Sequence, residues 1–395
     1  MITYEIPCLL GLEKLVADEV KRLGLQDVRA ENGRILCRGS WADCARLNIN
    51  LRCGARVIAL LGQFPAQSFE ELFQGVRAIA WEEFLPQDAA FPVKGYSISS
   101  QLHSVPACQS IIKKAVVKRL MAKHHTSVLP ESGTEYKIRF MLRKNVCEIM
   151  LDTTGEGLHK RGYRRNAMEA PIRETLAATI ADLGRVRRDS LVEDPFCGSG
   201  TLLIEAAQKA MNIAPGLKRR FAAERYSFVP AAVWAEQRQK ALAESKLDVG
   251  FEAFGYDIDP AAVALANANA KLAGVEKRCH FEVADVADFA AKQEAIVLTN
   301  PPYGERMSTI EGAAKLARTL GRQMEANPCA GVYAITADMD FETHYGKRAN
   351  KRRKMYNGMI PCQLYMYYNA PKFEHTAKPM PKSGFDGKRR FDKKD

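Results

Sequence analysis

The C-terminal half of the chain alternates short apolar segments with helical ones, and this alternation constrains the fold more than any other feature. The apolar segments lie within SLVEDPF, FEAFGYDID, CHFEVAD, EAIVLTNPPYG and AGVYAITAD, between residues 190 and 338. Strands separated by helices form right-handed βαβ units, so the pattern predicts an α/β domain with a mainly parallel sheet. In such sheets ligands bind beyond the carboxyl ends of the strands, where the polar residues of these segments lie.

The chain of 395 residues is too long for one ordinary core, and its N-terminal half has a different order of elements. The first 65 residues show the βαββαβ order of a ferredoxin-like domain. A long helix over SVPACQSIIKKAVVKRLMAKHH and a hairpin at Lys144-Asn145 then indicate a second small α/β unit. We predict five parts: a ferredoxin-like domain (1–65), a second α/β domain (66–155), a linker (156–170), the parallel-sheet domain (171–371) with a helical insertion (216–250), and a basic disordered tail (372–395).

Charge and cysteine usage indicate the partner and the compartment. The chain has 58 Lys and Arg against 46 Asp and Glu, a net charge of +12, which favours a polyanionic partner, with nucleic acid ahead of a membrane surface. A basic protein without such a partner is the alternative. The ten cysteines occur singly, which argues against a disulfide scaffold or a structural zinc site and for a reducing compartment. With no signal peptide and no apolar run of about 20 residues, we expect a cytoplasmic protein.

The turn EDPFCGSGTLLIEAA connects the first parallel strand to its helix. Gly198 and Gly200 let a ligand approach the backbone, and Thr201 begins a helix whose first N–H groups are free. The spacing matches neither a P-loop nor a dinucleotide fingerprint. Asp194 at the strand end would repel a pyrophosphate and would suit a ligand with an ammonium group.

Acidic residues also end the next two strands. Asp257 lies where a carboxylate can bind both hydroxyls of a ribose, and Asp285 lies within reach of an adenine amine. Either residue alone would be an ordinary strand-end acid, but with Asp194 they describe S-adenosylmethionine. Asp259 is predicted to cap the following helix, with Pro260 at its first position.

The sequence TNPPYG places an amide, two prolines and an aromatic ring at the end of an apolar strand. The Asn300 side-chain carbonyl and the Pro301 backbone carbonyl can accept hydrogen bonds from an exocyclic amine and orient its lone pair. Pro301 and Pro302 hold that geometry rigidly, and Tyr303 can stack on the base that carries the amine. A structural turn is the alternative.

DPFCGSGT, GYDID and TNPPYG in this order resemble the class I S-adenosylmethionine-dependent methyltransferases that act on exocyclic or amide nitrogens. DNA adenine, protein glutamine and RNA guanine enzymes share the Asn-Pro-Pro-Tyr signature. The N-terminal half resembles the THUMP RNA-binding arrangement. LHKRGYRRNAMEAPIRETLAATI and NKRRKMYNGMIPCQLYMY are similar to THUMP-linked RNA guanine-N2-methyltransferases, above all the bacterial enzymes that act on 23S rRNA.

The resemblance implies a Rossmann-like methyltransferase domain with a mainly parallel seven-stranded sheet, the cofactor S-adenosylmethionine and an RNA substrate. A tRNA guanine-N2-methyltransferase is the second choice. A non-catalytic RNA-binding assembly factor and a DNA adenine N6-methyltransferase are less favoured. Transfer of a methyl group from a sulfonium to an amine needs no Lewis acid, so no metal is expected.

Three sets of site residues follow. The catalytic set is Asn300, Pro301, Pro302 and Tyr303. The cofactor-binding set is Asp194, Pro195, Cys197, Gly198, Ser199, Gly200, Thr201, Asp257, Ile258, Asp285, Val286 and Asn300. The RNA-binding set is Lys113, Lys114 and Lys118 in the long helix, Arg161 and Arg164 in RGYR, and Lys351, Arg352 and Arg353 in GKRANKRRK. Solvated surface charge is the alternative for the helix and for GKRANKRRK, and lining of the cofactor pocket is the alternative for the two arginines of RGYR. We interpret Cys197 as a packing residue and not as a nucleophile.

Overall fold

The computed structural model describes residues 1–164, 172–302 and 310–368. Tyr303 and the predicted tail, residues 372–395, lie outside these ranges. Within them, no helix is long and apolar enough to cross a membrane.

The N-terminal half is built on one continuous sheet of seven strands in the order β2-β3-β1-β4-β7-β6-β5. β4 pairs antiparallel with β7, so the two predicted N-terminal units share a sheet. The strands are β1 (Ile2–Pro7), β2 (Gln26–Glu31), β3 (Arg34–Gly39), β4 (Ile58–Pro65), β5 (Val93–Ile98), β6 (Ile138–Arg143) and β7 (Val146–Asp152). The helices are α1 (Glu13–Arg22), α2 (Trp41–Asn50), α3 (Phe69–Ala78) and α4 (Val105–His124).

The helix α4 buries one stripe of its surface in the N-terminal core. Ile112, Ala115, Val116 and Leu120 are fully buried. Their spacing of three or four residues places them on one side of the helix, which is the pattern of an amphipathic helix.

The C-terminal half has a second sheet of seven strands in the order β10-β9-β8-β11-β12-β14-β13. Strands β8 to β12 are parallel, and β14 runs antiparallel to β12 and β13. The strands are β8 (Leu191–Asp194), β9 (Glu252–Asp257), β10 (Cys279–Val283), β11 (Ile296–Thr299), β12 (Gly331–Thr336), β13 (Lys351–Asn357) and β14 (Ile360–Tyr368). The helices are α5 (Glu174–Leu183), α6 (Thr201–Ala210), α7 (Ala231–Ala243), α8 (Pro260–Ala273), α9 (Ile310–Ala326) and α10 (Phe341–Tyr345).

This arrangement confirms the expected Rossmann-like, mainly parallel sheet. The strand order reverses between β8 and β11, and such a reversal opens a crevice at the carboxyl ends of the strands. The sheet therefore positions a ligand site between the ends of β8 and β11.

The predicted helical insertion joins the two halves of the molecule. Phe221, Tyr226 and Trp234 are buried in the N-terminal hydrophobic core although they follow β8 in the chain. The Gly216 N–H donates to the carbonyl of Ile49 at 2.8 Å. A Cβ at Gly216 would lie 2.7 Å from the Ile49 Cα, so only glycine permits this approach between the two backbones.

Arg161 makes a second connection between the halves, and its assignment to RNA binding is wrong. The residue is 3% exposed. Its guanidinium donates to the carbonyls of Leu51 and Arg52 in the N-terminal half and lies 3.5 Å from the Glu205 carboxylate on α6. A guanidinium that is buried and paired in this way cannot reach a phosphate.

Replacing Arg161 with methionine is expected to destabilise the folded chain by about 3–5 kcal/mol, because the buried Glu205 carboxylate would lose its counter-charge. Chemical denaturation would measure the change. Arg220→Met is the matched control, since Arg220 pairs with Glu224 but its side chain is 88% exposed, and we expect little change there. Equal losses in both variants would contradict the role given to Arg161.

Candidate cofactor and catalytic site

A cavity of about 580 Å³ opens at the carboxyl ends of the parallel strands. This volume lies in the range of about 300–1,000 Å³ that is usual for small-molecule sites. Its lining includes these residues of the predicted cofactor-binding and catalytic sets: Asp194, Pro195, Cys197, Gly198, Ser199, Thr201, Asp257, Ile258, Asp285, Val286, Asn300 and Pro302.

The two glycines of the β8–α6 turn have different roles. Both have positive φ angles, +50° at Gly198 and +77° at Gly200. A Cβ at Gly198 would meet no atom within 4 Å, so this glycine leaves open space on the cavity wall. A Cβ at Gly200 would lie 2.8 Å from Phe281 Cζ, so Gly200 is required for packing behind the turn and is not part of the cavity lining.

Asp194 is a buried carboxylate at the end of β8. Its Oδ1 accepts hydrogen bonds from the Phe196 N–H at 3.0 Å and from the Thr299 hydroxyl at 2.8 Å. Burial raises the pKa of Asp194 from 3.8 to about 7, and the negative charge of Asp257 adds to this rise. The carboxylate is therefore only partly ionised near neutral pH, and a positive group in the cavity would favour its ionised form.

Asp257 connects the end of β9 to the β8–α6 turn. Its Oδ2 accepts from the Gly198 N–H at 2.9 Å and its Oδ1 from the Asp259 N–H at 3.0 Å. Two backbone donors fix the orientation of this carboxylate at the cavity wall.

Two further acids end strands or begin helices at the cavity. Asp285 follows β10, and its Oδ1 accepts from the Ala287 N–H at 2.8 Å. Asp259 caps α8 by accepting from the Ala261 N–H at 2.9 Å, with Pro260 at the first helical position, which confirms the predicted cap.

The sequence NPP follows β11 directly and brings Asn300 to the same cavity. Asn300 is 9% exposed and lines the cavity together with Pro302, while Pro301 is buried. β11 lies beside β8, so Asn300 and Asp194 end neighbouring strands. The structure therefore places a candidate amine-binding amide and the acidic residues on the wall of a single cavity.

Seven further lining residues lie outside the predicted site sets: Ile172, Phe196, Leu202, Asp259, Ala262, Ala284 and Leu316. Phe196 and Ala284 are adjacent to predicted residues, so the motifs could have indicated them. Ile172 lies within LHKRGYRRNAMEAPIRETLAATI and Leu316 lies in α9, but no local pattern distinguishes these two apolar residues from core residues.

Replacing Cys197 with alanine is expected to leave methyl transfer within a few-fold of the wild-type rate. Burial, with the nearby charges of Asp194 and Asp257, raises the pKa of the Cys197 thiol, so the nucleophilic thiolate is disfavoured. Steady-state kinetics of the variant and the wild-type protein with the same methyl acceptor would measure the effect. A folded, cofactor-binding variant without activity would contradict the packing role given to Cys197.

The predicted RNA-binding residues of α4 differ in exposure. Lys114 and Lys118 are exposed. Lys113 forms an ion pair with Glu131 at 2.5 Å and lies 3.7 Å from the centre of the Phe91 ring, so part of its charge is used within the fold.

Arg164 and the basic residues of GKRANKRRK lie in other parts of the structure. The Arg164 guanidinium lies 3.3 Å from Glu174 and 3.4 Å from the Thr201 hydroxyl, next to the cavity. Lys351 and Arg352 are exposed on β13, and Arg352 lies 3.5 Å from Glu342. Arg353 is partly buried and donates to the Gly11 carbonyl at 3.0 Å.

Comparison with known families identifies the chain's class. Residues 161–366 match the RMKL-like methyltransferase domain, and this match covers more than half of the chain. The chain belongs to the RMKL-like methyltransferase family. Residues 3–58 match the RlmL ferredoxin-like domain and residues 66–152 the THUMP domain, so the predicted family resemblance is confirmed.

Curated relatives of this family member include a Bacillus subtilis (strain 168) protein named "Putative RNA methyltransferase YpsC". It is 38% identical over 363 residues, which cover 91% of this chain and 94% of that protein. The ribosomal RNA large subunit methyltransferase K/L of Shewanella baltica (strain OS195) is 31% identical over 375 residues, which cover 93% of this chain and 53% of that protein. The chain thus spans about half the length of the K/L relatives.

Solved structures agree over nearly the whole chain. "SMU.472, a putative methyltransferase complexed with SAH" superposes with a TM-score of 0.87 at 39% identity, covering 94% of this chain and 98% of that one. A "predicted N6-adenine-specific DNA methylase" from Listeria monocytogenes has a TM-score of 0.88 at 40% identity, covering 93% and 96%. The family and the SAH-bound neighbour show that the cofactor of this chain is S-adenosylmethionine.

Proposed function

We propose that this chain transfers a methyl group from S-adenosylmethionine to the exocyclic N2 of a guanosine in 23S rRNA. The observation that carries the proposal is that Asn300 ends the strand next to that of Asp194 and lines the same cavity. The names of the K/L relatives and the THUMP domain support RNA as the substrate. Such a substrate implies a cytoplasmic enzyme.

The cavity residues suit the parts of the cofactor. The buried Asp194 faces its ammonium group, and Asp257, held by two backbone N–H groups, binds the ribose hydroxyls. Asp285 binds the adenine amine, and the open wall at Gly198 lets the cofactor approach the backbone. Gly200 supports the turn from behind and makes no contact with the cofactor.

The chemistry requires a positioned amine. The bound cofactor supplies an electrophilic methyl carbon. A guanine amine is a poor nucleophile because its lone pair is delocalised into the ring. Hydrogen bonds from this amine to the Asn300 side-chain oxygen and the Pro301 carbonyl direct the lone pair toward the methyl carbon, and Tyr303 stacks on the base. Positioning of this kind supplies a large part of the catalysis in transfer reactions.

Basic residues on both halves suit the RNA backbone. Lys114 and Lys118 are exposed on α4, and Lys351 is exposed on β13. We propose that these side chains contact phosphates, with Arg352 adding a partly neutralised charge.

The decisive test uses total RNA from cells that lack this gene. The RNA is incubated with the protein and methyl-labelled S-adenosylmethionine, separated by size and digested to nucleosides. N2-methylguanosine in 23S rRNA would support the proposal, whereas the same nucleoside in tRNA would replace the substrate and keep the mechanism. Label in no RNA, despite cofactor binding, would overturn the proposal. DNA adenine would then be tested first, since the Listeria neighbour carries that name.

A further inference from the structure

The hairpin of β13 and β14 extends past the ligand edge of the C-terminal sheet, which is the edge where the carboxyl ends of the parallel strands form the cavity. Thr336, the last residue of β12, pairs with Gln363 of β14. β14 begins three residues earlier, at Ile360, where it pairs with Asn357 of β13. At about 3.3 Å per residue the hairpin projects roughly 10 Å beyond the end of β12. This is the edge of the sheet from which Asn300 enters the cavity.

The end of this hairpin exposes large apolar side chains, which we call the hairpin tip: Tyr356, Met359 and Ile360. They are 51%, 93% and 37% exposed. Ile360 pairs with Asn357 and so leaves the opposite face of the hairpin from Tyr356, with Met359 in the turn between them. Three large apolar side chains exposed within five residues at the end of one hairpin indicate a contact surface rather than chance exposure.

The hairpin tip is held by residues buried beneath it. Met355 and Cys362 pack in the core of the C-terminal half, and Asn357 is 7% exposed. The Asn357 Oδ1 accepts a hydrogen bond from the Arg173 N–H at 3.2 Å. Ile172, the residue before Arg173, lines the cofactor cavity. The position of the hairpin tip is therefore fixed relative to the cavity.

The charge around the hairpin tip is positive. Lys354 is exposed and lies two residues before Tyr356 on the same strand, so the two side chains project from the same face. Lys351 and Arg352 continue the basic strand. An aromatic ring beside an exposed cation suits a nucleic acid, because the ring stacks on a base while the cation contacts a phosphate.

We propose that the hairpin tip enters the substrate RNA beside the target nucleotide, with Tyr356 stacked on a neighbouring base and Met359 wedged between two bases. This inference rests on the proposed function. Proteins open nucleic acid stacks with apolar side chains such as methionine, leucine and phenylalanine. Separating the neighbouring bases frees the target guanine to turn into the cavity and present its amine to Asn300.

The test compares Tyr356→Ser/Met359→Ser with a matched control, Leu242→Ser/Leu247→Ser. The control residues are 65% and 67% exposed and belong to the insertion, away from the ligand edge. Single-turnover methyl transfer is measured on folded RNA of the fraction that the wild-type protein labels, and on the same RNA cut into short, heated fragments. Binding of S-adenosylhomocysteine by calorimetry reports on the fold and the cavity.

The hairpin-tip variant is expected to be slower by about tenfold or more on folded RNA and less than about threefold on fragments, with unchanged S-adenosylhomocysteine binding. The control should match the wild-type protein. If the hairpin-tip variant methylates folded RNA at the wild-type rate, the inference is wrong, and the exposed surface would instead be assigned to binding a protein partner. Equal losses on folded RNA and fragments would also overturn it, because the hairpin tip would then bind RNA without opening it. No label from the wild-type protein in any RNA would instead overturn the proposed function.

Discussion

Asn300→Ala is expected to reduce methyl transfer about 100- to 1,000-fold while S-adenosylhomocysteine binding stays within a few-fold of the wild-type affinity. The Asn300 side-chain amide directly follows β11 and lines the cavity. The acids proposed to bind the cofactor lie at or just after the ends of β8, β9 and β10. Removing the amide therefore removes one acceptor of the amine and leaves the carboxylates in place. Single-turnover transfer and calorimetry separate the two effects.

Asn327→Ala is the matched control for this variant. Asn327 follows α9 and donates to the Gln323 carbonyl at 3.3 Å, away from the cavity lining. It should retain full transfer. If Asn300→Ala loses both transfer and S-adenosylhomocysteine binding in an intact fold, Asn300 holds the cofactor or the local structure and the proposed role is wrong.

The acids and the amide of the site could be predicted from the sequence because the parallel sheet places them by a simple rule. Each one follows an apolar strand, and the carboxyl ends of parallel strands meet at one edge. That rule and the position of each residue in the chain are enough to predict that Asp194, Asp257 and Asn300 lie at one site. No such rule predicts that Leu316 of α9 lines the cavity, because its position depends on how the helix packs across the sheet.

Arg161 shows why burial of a charge is hard to predict. It lies in a basic, glycine-rich segment that is typical of exposed connections. Its counter-charge, Glu205, is 44 residues away in an apolar helix, where a single acid also fits the pattern of an exposed position. Only the packed structure brings the two charges together and removes both from water.

The joining of the two N-terminal units in one sheet has a similar cause. Period-two patterns predict that β4 and β7 are strands, but they do not state which edges pair. Ile58 and Asp152 are opposite each other in the sheet although 94 residues separate them in the sequence. Pairing over such a distance depends on the shared core beneath the strands.

The affinity for S-adenosylhomocysteine is expected to fall about tenfold per pH unit as the pH is lowered below 7, reaching roughly 100-fold at pH 5. Burial, with the charge of Asp257, raises the pKa of Asp194 to about 7. The ammonium group of the ligand prefers the ionised carboxylate. Binding below pH 7 must therefore release a proton from Asp194, while above pH 7 the carboxylate is already ionised and the affinity becomes constant.

Calorimetry between pH 5 and pH 8, in buffers that differ in ionisation enthalpy, would measure both the affinity and the released proton. Asp194→Asn is the control: its binding should be weak and should not change over this range. Protonation of Asp194 cannot lower the affinity by unfolding the chain, because the pKa of this carboxyl is higher in the folded chain than in the unfolded one. Its protonation thus stabilises the fold as the pH falls from about 7 toward 3.8. A wild-type affinity that is constant from pH 5 to pH 8 would show that Asp194 does not face the ammonium group.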